Sequence, residues 1–167
     1  MHDQLTKVDI QKMQEEIDYR LKVTRPAILD ALNLARSYGD LSENYEYKTA
    51  KQDLRECDSR LRYLQSMINT ATVVELTESE NEVGLFDRVT LYFEEDDEEE
   101  VYQVTTTLRQ NALENRISNA SPLGKALLGK QVGARVLVKV DDNYSYYVVI
   151  RSIEKGEDDA SIPIQKY

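Results

Sequence analysis

The chain has 167 residues, of which 31% are charged, and a formal net charge of −10 at pH 7. This length allows one domain or two small ones. The acidic excess repels phosphate backbones, so it argues against autonomous binding to duplex DNA and favours a protein partner. A single cysteine, Cys57, excludes an internal disulfide, and a single histidine, His2, argues against a Ser-His or Cys-His catalytic centre. Any chemistry must therefore come from carboxylates.

Nothing in the sequence indicates a membrane protein. No apolar run approaches the roughly 20 residues that a membrane helix needs. The first residues lack the basic region followed by an apolar region that marks a secretion signal. We therefore expect a cytoplasmic protein.

The first half of the chain has the apolar spacing of two long helices. In the first helix the spacing is three or four residues, which marks one helix face. Pro26 lies inside this pattern and removes a backbone donor, so we expect the helix to bend there rather than end. In the second helix, steps of four and three alternate as in a coiled-coil seam, the apolar face along which two helices pack. The predicted seam residues are Met13, Ile17, Leu21, Thr24, Ile28, Leu32 and Ala35, then Ala50, Leu54, Cys57, Leu61, Leu64, Ile68 and Ala71.

Only the short segment 38–43 joins the two helices, so they should fold back as an antiparallel hairpin. We assign residues 1–75 to this hairpin, residues 76–155 to a second domain and residues 156–167 to a flexible tail. In the second domain Thr, Val, Tyr and Ile become common and the heptads vanish, which favours strands. The predicted strands are Arg88–Phe93, Val101–Thr107, Val136–Val140 and Tyr144–Ile153.

A short helix should lie between these strands, with Ser121 as its N-cap, Pro122 at its first position and Gly129 beyond its end. The expected fold class is therefore α+β. Residues 94–100 are seven acidic residues in a row, which we interpret as a solvated hairpin loop because like charges repel. A calcium site would need spaced ligands and a turn glycine, which this run lacks. Contact with a basic partner surface is the alternative.

Two segments together resemble the Gre family of transcript cleavage factors. Residues 35–47, ARSYGDLSENYEY, match the family's hairpin-tip pattern, A-R-x-x-G-D-L-S/K-E-N-x-E-Y. Residues 117–129, ISNASPLGKALLG, match its C-terminal signature, I-S-x-x-S-P-L-G-x-A-L-L-G. The segments occur in the family's order, and the likeness covers about residues 5–155. It is closer to the GreA branch than to the more basic GreB branch.

The resemblance implies an antiparallel coiled coil that enters the secondary channel of bacterial RNA polymerase, and an FKBP-like domain that docks at the channel's rim. In the family, acids at the tip help to hold a second magnesium in the polymerase active site and orient a water that cleaves backtracked RNA. The matching positions are Asp40 and Glu43. The implied factor is a monomer that holds no cofactor alone, contacts the nascent RNA 3′ end within the complex, and stimulates the polymerase's own reaction without being an enzyme itself.

The resemblance gives further residues a role. Asn44 and Tyr47 would shape the tip and contact RNA or polymerase. The basic residues of the second helix would hold the RNA end, although a solvated helix face with i,i+4 pairs is the ordinary interpretation. These basic residues are Lys48, Lys51 and Arg55. The family's docking-domain signature corresponds to Ser121, Pro122, Leu123 and Gly124.

Other interpretations stay open. The spacing of Asp40 and Glu43 also fits a capping box at the start of the second helix. A non-catalytic binder of the polymerase channel would use the same arm, and a coiled-coil protein unrelated to transcription would show the same heptads. The chain also departs from the family pattern. Asp9 stands where the family's early T-x-x-G motif has glycine, the chain continues past the family's usual end, and too few aromatic residues remain for prolyl isomerase activity.

Overall fold

The structure is a computed structural model that describes residues 2–40, 43–76 and 79–166. It divides into two compact units. One, called the hairpin below, is built from Ile10–Ala71; the other, called the sheet unit, combines Asp3–Asp9 with residues 72–166. The sequence places the division after residue 75, whereas the units meet between Ala71 and Thr72. In the part of the chain that is described, no helix is long and apolar enough to cross a membrane.

The first helical arm is continuous through Pro26. It consists of helix α1 (Lys7–Tyr19), a π-helical segment (Arg20–Thr24) and helix α2 (Arg25–Arg36). Pro26 has no backbone N–H to return to the preceding turn, and the wider π turn immediately before it accommodates this loss. The prediction of one long helix that passes through this proline is confirmed.

Helix α3 (Tyr45–Thr70) packs along the first arm and completes the hairpin. Most of the predicted seam is buried or half-buried, but Leu21 is 53% exposed because the π turn displaces it from the packed face. In the second helix, Leu61 and Ile68 are only half-buried. The neighbouring Arg60 and Met67 are buried in their place. The buried hairpin residues are Met13, Ile17, Leu32, Ala35, Ala50, Cys57, Arg60, Leu64 and Met67.

The sheet unit contains a five-stranded sheet in the order β5-β4-β3-β7-β6. Only β4 and β5 pair in parallel; the other neighbours are antiparallel. A separate parallel pair joins β1 to β2. The strands are β1 (Gln4–Leu5), β2 (Thr72–Val73), β3 (Arg88–Phe93), β4 (Glu98–Thr105), β5 (Arg116–Ser118), β6 (Arg135–Lys139) and β7 (Ser145–Glu154).

One face of the sheet carries the core, and helix α4 (Pro122–Leu127) packs against it. Alternate residues of β3, β6 and β7 point into this core, as period-two patterning requires. The α+β prediction, with a helical hairpin followed by a small β-sheet domain and a short helix, is confirmed. The buried core comprises Val83, Val89, Leu91, Val104, Leu123, Leu127, Val136, Val138, Val148 and Ile150.

The acidic run 94–100 is only partly a loop. Glu94 to Asp97 form the turn, with Asp97 at a φ of 50°, but residues 98–100 belong to β4 and pair with β3. Glu94 is paired as well as partly solvated, because its oxygens accept hydrogen bonds from Arg135 Nε at 2.7 Å and Nη2 at 2.9 Å. The prediction of a hairpin is confirmed, and the assignment of all seven acids to a solvated loop is wrong. Pairing with β3 outweighs the low strand propensity of glutamate.

A fully buried arginine links distant parts of the sheet unit. Arg109 Nε donates to Asp9 Oδ1 at 2.8 Å, and both side chains are 0% exposed. The same guanidinium reaches Thr6 Oγ1 at 3.3 Å and the Asp159 carbonyl at 3.0 Å, and it pairs with the carboxylate of Asp158. Asp9 also forms a capping box with Thr6 at the start of α1, because the Thr6 amide donates to Asp9 Oδ2 at 3.0 Å and the Asp9 amide donates to Thr6 Oγ1 at 3.3 Å.

Residues 156–166 contact the sheet unit along their length. The Gly156 amide donates to the buried Asp87 at 3.0 Å, and a Cβ on this glycine would lie 1.8 Å from the Phe86 carbonyl oxygen. Near the other end, the Gln165 amide donates to the Leu108 carbonyl. The predicted flexibility of this segment stays a prediction, now with these named contacts to test.

Candidate functional site at the hairpin tip

Asn44 organises the tip of the hairpin. Its Oδ1 accepts a hydrogen bond from the Tyr47 amide at 3.0 Å, so it is the N-cap of α3. Its Nδ2 donates to the Ala35 carbonyl at 2.7 Å, in the last turn of α2. One amide side chain therefore fastens the end of the first arm to the start of the second.

Asp40 and Glu43 precede this cap, and both are exposed. Because α3 begins at Tyr45 and Asn44 caps it, the interpretation of Asp40 and Glu43 as a capping box for this helix is wrong. Gly39 turns the chain just before them at a φ of +98°, a conformation that side chains rarely adopt. Residues 41 and 42, which also belong to the tip motif, lie outside the described residues.

The two acids line one open depression of about 440 Å³. Their neighbours in it are two aromatic rings, a further carboxylate and the capping amide. Carboxylate oxygens are the ligands that magnesium prefers. Among residues 2–40, 43–76 and 79–166 no group of three His, Cys, Asp or Glu side chains could hold a metal ion. The tip therefore presents the carboxylates of Asp40 and Glu43 on one open surface. The complete lining is Tyr38, Asp40, Glu43, Asn44, Tyr45 and Glu46.

Cationic side chains lie beside tyrosine rings at the start of α3. Lys51 Nζ lies 5.3 Å from the centre of the half-buried Tyr47 ring, and the Arg36 guanidinium lies 5.8 Å from the same centre. Lys48 Nζ lies 5.6 Å from the centre of the Tyr45 ring. Arg55 is exposed one turn beyond Lys51. Two of the three predicted RNA-contacting cations, Lys48 and Lys51, thus lie beside tyrosine rings at the start of α3.

The docking-domain signature lies in the sheet unit and builds a tight helix start. Ser121 Oγ accepts from the Gly124 amide at 3.0 Å and donates to the Ser118 carbonyl at 2.7 Å. Pro122 occupies the first turn, and Leu123 is buried in the core. A Cβ on Gly124 would lie 2.0 Å from the Ser118 carbonyl oxygen, so only glycine fits. Each signature residue has a local folding role, whatever it contacts in a partner.

Sequence reasoning passed over two exposed rings at the tip. Tyr38 is 61% exposed and Tyr45 is 79% exposed, and both line the depression that contains the acids. They occupy positions that the tip pattern leaves open, so the motif gave no reason to single them out. The available signal was the presence of two tyrosines in an otherwise polar turn.

Comparisons with known proteins cover nearly the whole chain. A family model described as "Transcription elongation factor, N-terminal" matches residues 3–73, and one described as "Transcription elongation factor, GreA/GreB, C-term" matches residues 78–155. The chain is 36% identical to transcription elongation factor GreA of Oenococcus oeni, across 92% of this chain and 95% of that protein. It is 38% identical to transcription elongation factor GreA of Bacillus subtilis, across 77% of this chain and 82% of that protein.

Among solved structures, the crystal structure of GreA factor homolog 1 of Thermus thermophilus is similar to this one. The match covers 93% of this chain and 100% of the Thermus chain. The two sequences are 24% identical, and the TM-score is 0.43. At this score the likeness has no bearing on function.

Proposed function

Because the chain belongs to the GreA/GreB family of transcription elongation factors, we propose that it binds bacterial RNA polymerase and stimulates the polymerase's own cleavage of backtracked nascent RNA. The observation that supports this proposal is the tip. There Asp40 and Glu43 are exposed, line one depression and do not cap the helix that follows. The alternative of a coiled-coil protein unrelated to transcription is wrong, since the family is shown.

The hairpin provides the reach that the proposed mechanism needs. Helix α3 has 26 residues, so it is about 39 Å long at 1.5 Å per residue. The ion pair across the hairpin in which Arg60 Nε donates to Glu16 at 2.8 Å helps to hold its helices together. The arm would enter the secondary channel of the polymerase and carry the tip to the RNA 3′ end.

At the polymerase active site, Asp40 and Glu43 would hold a shared second magnesium. When bound, such an ion stabilises both the attacking water and the leaving oxygen of phosphodiester cleavage. The carboxylates would supply oxygen ligands and orient the water, while Lys48 and Lys51 would neutralise RNA phosphates. The factor would thus be an accessory protein, a monomer without a cofactor of its own, that acts in the cytoplasm and does not bind duplex DNA by itself.

The test is RNA cleavage in a stalled, backtracked elongation complex with magnesium. We expect the wild-type protein to accelerate shortening of the RNA 3′ end and the Asp40→Asn/Glu43→Gln variant not to. The matched control is Asp53→Asn/Glu56→Gln, which makes the same charge changes at the same spacing on the exposed side of α3. This control should keep the wild-type rate.

Occupancy of the polymerase must be equal in all reactions, which a binding measurement with labelled factor can establish. If the tip variant stimulates cleavage as well as the wild type at equal occupancy, the acids are not the metal ligands. If the wild type binds and slows elongation without shortening RNA, the protein is a non-catalytic channel binder instead.

A further inference from the structure

We propose that Tyr38 and Tyr45 form a stacking platform for unpaired RNA bases at the hairpin tip. This inference rests on the proposed function, because it assumes that the tip meets the 3′ end of the nascent RNA. It assigns a role to two residues that the family's tip pattern leaves open. The platform would position the RNA, while the acids beside it would act on the reacting phosphate.

The exposure of the two rings is the first observation. Tyr38 is 61% exposed and Tyr45 is 79% exposed. Tyr47, only two residues further along, shows what a packed tip tyrosine looks like: it is half-buried, with Arg36 and Lys51 near its ring. Two large exposed rings in one small depression leave apolar surface in water, and such surface commonly marks a binding site.

The neighbours of the rings indicate which partner would cover them. Both rings share their depression with Asp40 and Glu43, and Lys48 Nζ lies 5.6 Å from the centre of the Tyr45 ring. Proteins bind single-stranded nucleic acid through aromatic rings that stack on bases and cations that neutralise phosphates. A purely apolar protein pocket would leave Lys48 and the two carboxylates buried without partners, at a large desolvation cost. Unpaired RNA bases fit this mixture of groups best.

Stacking beside the acids would bear directly on the rate. A base held on the platform fixes the phosphate of the same nucleotide relative to Asp40 and Glu43. Such positioning lowers the entropic part of the barrier. Loss of the rings should therefore reduce the cleavage rate at saturating factor, and not only the affinity for the complex.

The experiment compares variants in the backtracked complex at saturating factor. We expect Tyr38→Ala/Tyr45→Ala to slow RNA shortening by about tenfold, from the typical contribution of base–aromatic stacking. Tyr38→Phe/Tyr45→Phe keeps both rings and should retain the wild-type rate. The matched control is Tyr19→Ala, since Tyr19 is 60% exposed on α1 and far along the arm from the tip.

A second measurement does not depend on cleavage. RNA with 4-thiouridine at its 3′ end, in the same complex, should crosslink to the wild-type tip and to the phenylalanine variant, and at least severalfold less to the alanine variant. If the alanine variant cleaves and crosslinks like the wild type at equal occupancy, the platform is wrong and the proposed function stands. If the wild type does not stimulate cleavage, the proposed function fails, and the crosslinking yields alone decide on the platform. Crosslinking of the 4-thiouridine to a polymerase subunit and not to the tip of the wild-type factor would also overturn it.

Discussion

The hairpin and the sheet unit each bury an arginine, but they satisfy its charge differently. In the hairpin, Arg60 makes two hydrogen bonds to Glu16, at 2.8 and 3.1 Å, and the Glu16 side chain remains 23% exposed. In the sheet unit, Arg109 and Asp9 are both 0% exposed. If Glu16 loses its charge, water can therefore reach the site and solvate Arg60 in part. If Asp9 loses its charge, water cannot reach Arg109 in the same way. The same type of ion pair can therefore be changed at low cost at a helix seam, but its loss inside a core leaves a buried charge without a partner.

The Arg109 site also joins two segments that lie far apart in the sequence. Asp9 lies in the first turn of α1, and Asp158 lies beyond residue 155, where the family match ends. Both carboxylates meet the same guanidinium. A buried cation needs several partners, and here they come from opposite ends of the sequence. One guanidinium therefore holds the segment around Asp9 and the segment around Asp158 together.

The largest effect should follow from neutralising Asp9. We expect Asp9→Asn to lower the free energy of unfolding by about 3–5 kcal/mol, because it leaves a buried arginine without its main counter-charge. Urea unfolding followed by circular dichroism measures this loss. Asp142→Asn, the same change in an exposed turn of the sheet unit, is the control. A loss for Asp9→Asn no greater than for this control would show that the pair is not obligatory.

A smaller effect should follow from Asp158→Asn, since Arg109 keeps Asp9. The expected loss is about 2 kcal/mol, typical of a hydrogen bond to a charged group. Because both acids contact Arg109, the losses in the double variant Asp9→Asn/Asp158→Asn should not add. Urea unfolding of all four proteins gives the coupling energy, and hydrogen exchange at the Gln165 amide reports whether the last segment loosens. Strict additivity would mean that the two ends act separately.

At Glu16 the effect should be smaller and depend on pH. Burial alone would raise the pKa of this carboxyl, but hydrogen bonds from Arg60 and Arg20 outweigh it and hold the pKa below its usual range. A lowered folded-state pKa stabilises the protein above the unfolded-state pKa, and this contribution is lost as pH falls through the folded-state pKa.

We therefore expect Glu16→Gln to cost about 1 kcal/mol near neutral pH, a value reduced by solvent screening. The difference from the wild type should shrink below about pH 4.3, the ordinary pKa of glutamate. Thermal unfolding at a series of pH values tests this. A difference that grows on acidification would reverse the sign of the linkage.

The smallest effect should occur at Asp58, which pairs with Arg25 at 2.8 Å while both side chains remain about one-third exposed, at 31% and 37%. Asp58→Asn should produce no resolvable change in the midpoint of urea unfolding, because exposed pairs are screened and cost side-chain entropy. A loss of stability comparable with that of Glu16→Gln would show that the burial of these ion pairs does not determine how much they stabilise the protein.

The sequence predicted the elements that follow a period and missed those that depend on distant partners. Strand β3 was predicted with its observed bounds, because its alternation is regular. The burial of Arg60 could not be predicted, since an apolar pattern has no place for an arginine whose counter-charge lies on another helix. The pairing of Arg109 with Asp9 spans 100 positions of sequence and has no local signal. Strand β5, at three residues, is too short to show a period.

At the candidate site, the motif supplied Asp40 and Glu43 but not the start of the helix beside them. Asp40 and Asn44 are both good N-cap residues by type. The choice falls on Asn44 because only its amide also reaches the Ala35 carbonyl, a bond across the turn that sequence alone does not reveal. The exposure of the Tyr38 and Tyr45 rings depends in turn on where α3 begins.

The Asn44 side chain makes two hydrogen bonds, one to the last turn of α2 and one to the first turn of α3, and this pair of bonds has an evolutionary consequence. It closes the arm at a point behind the tip acids, so the stability of the arm need not depend on the residues between Arg36 and Glu43. Substitutions in that stretch should change the surface of the tip while the two helices stay joined. The tip can in this sense change in evolution independently of the arm that carries it.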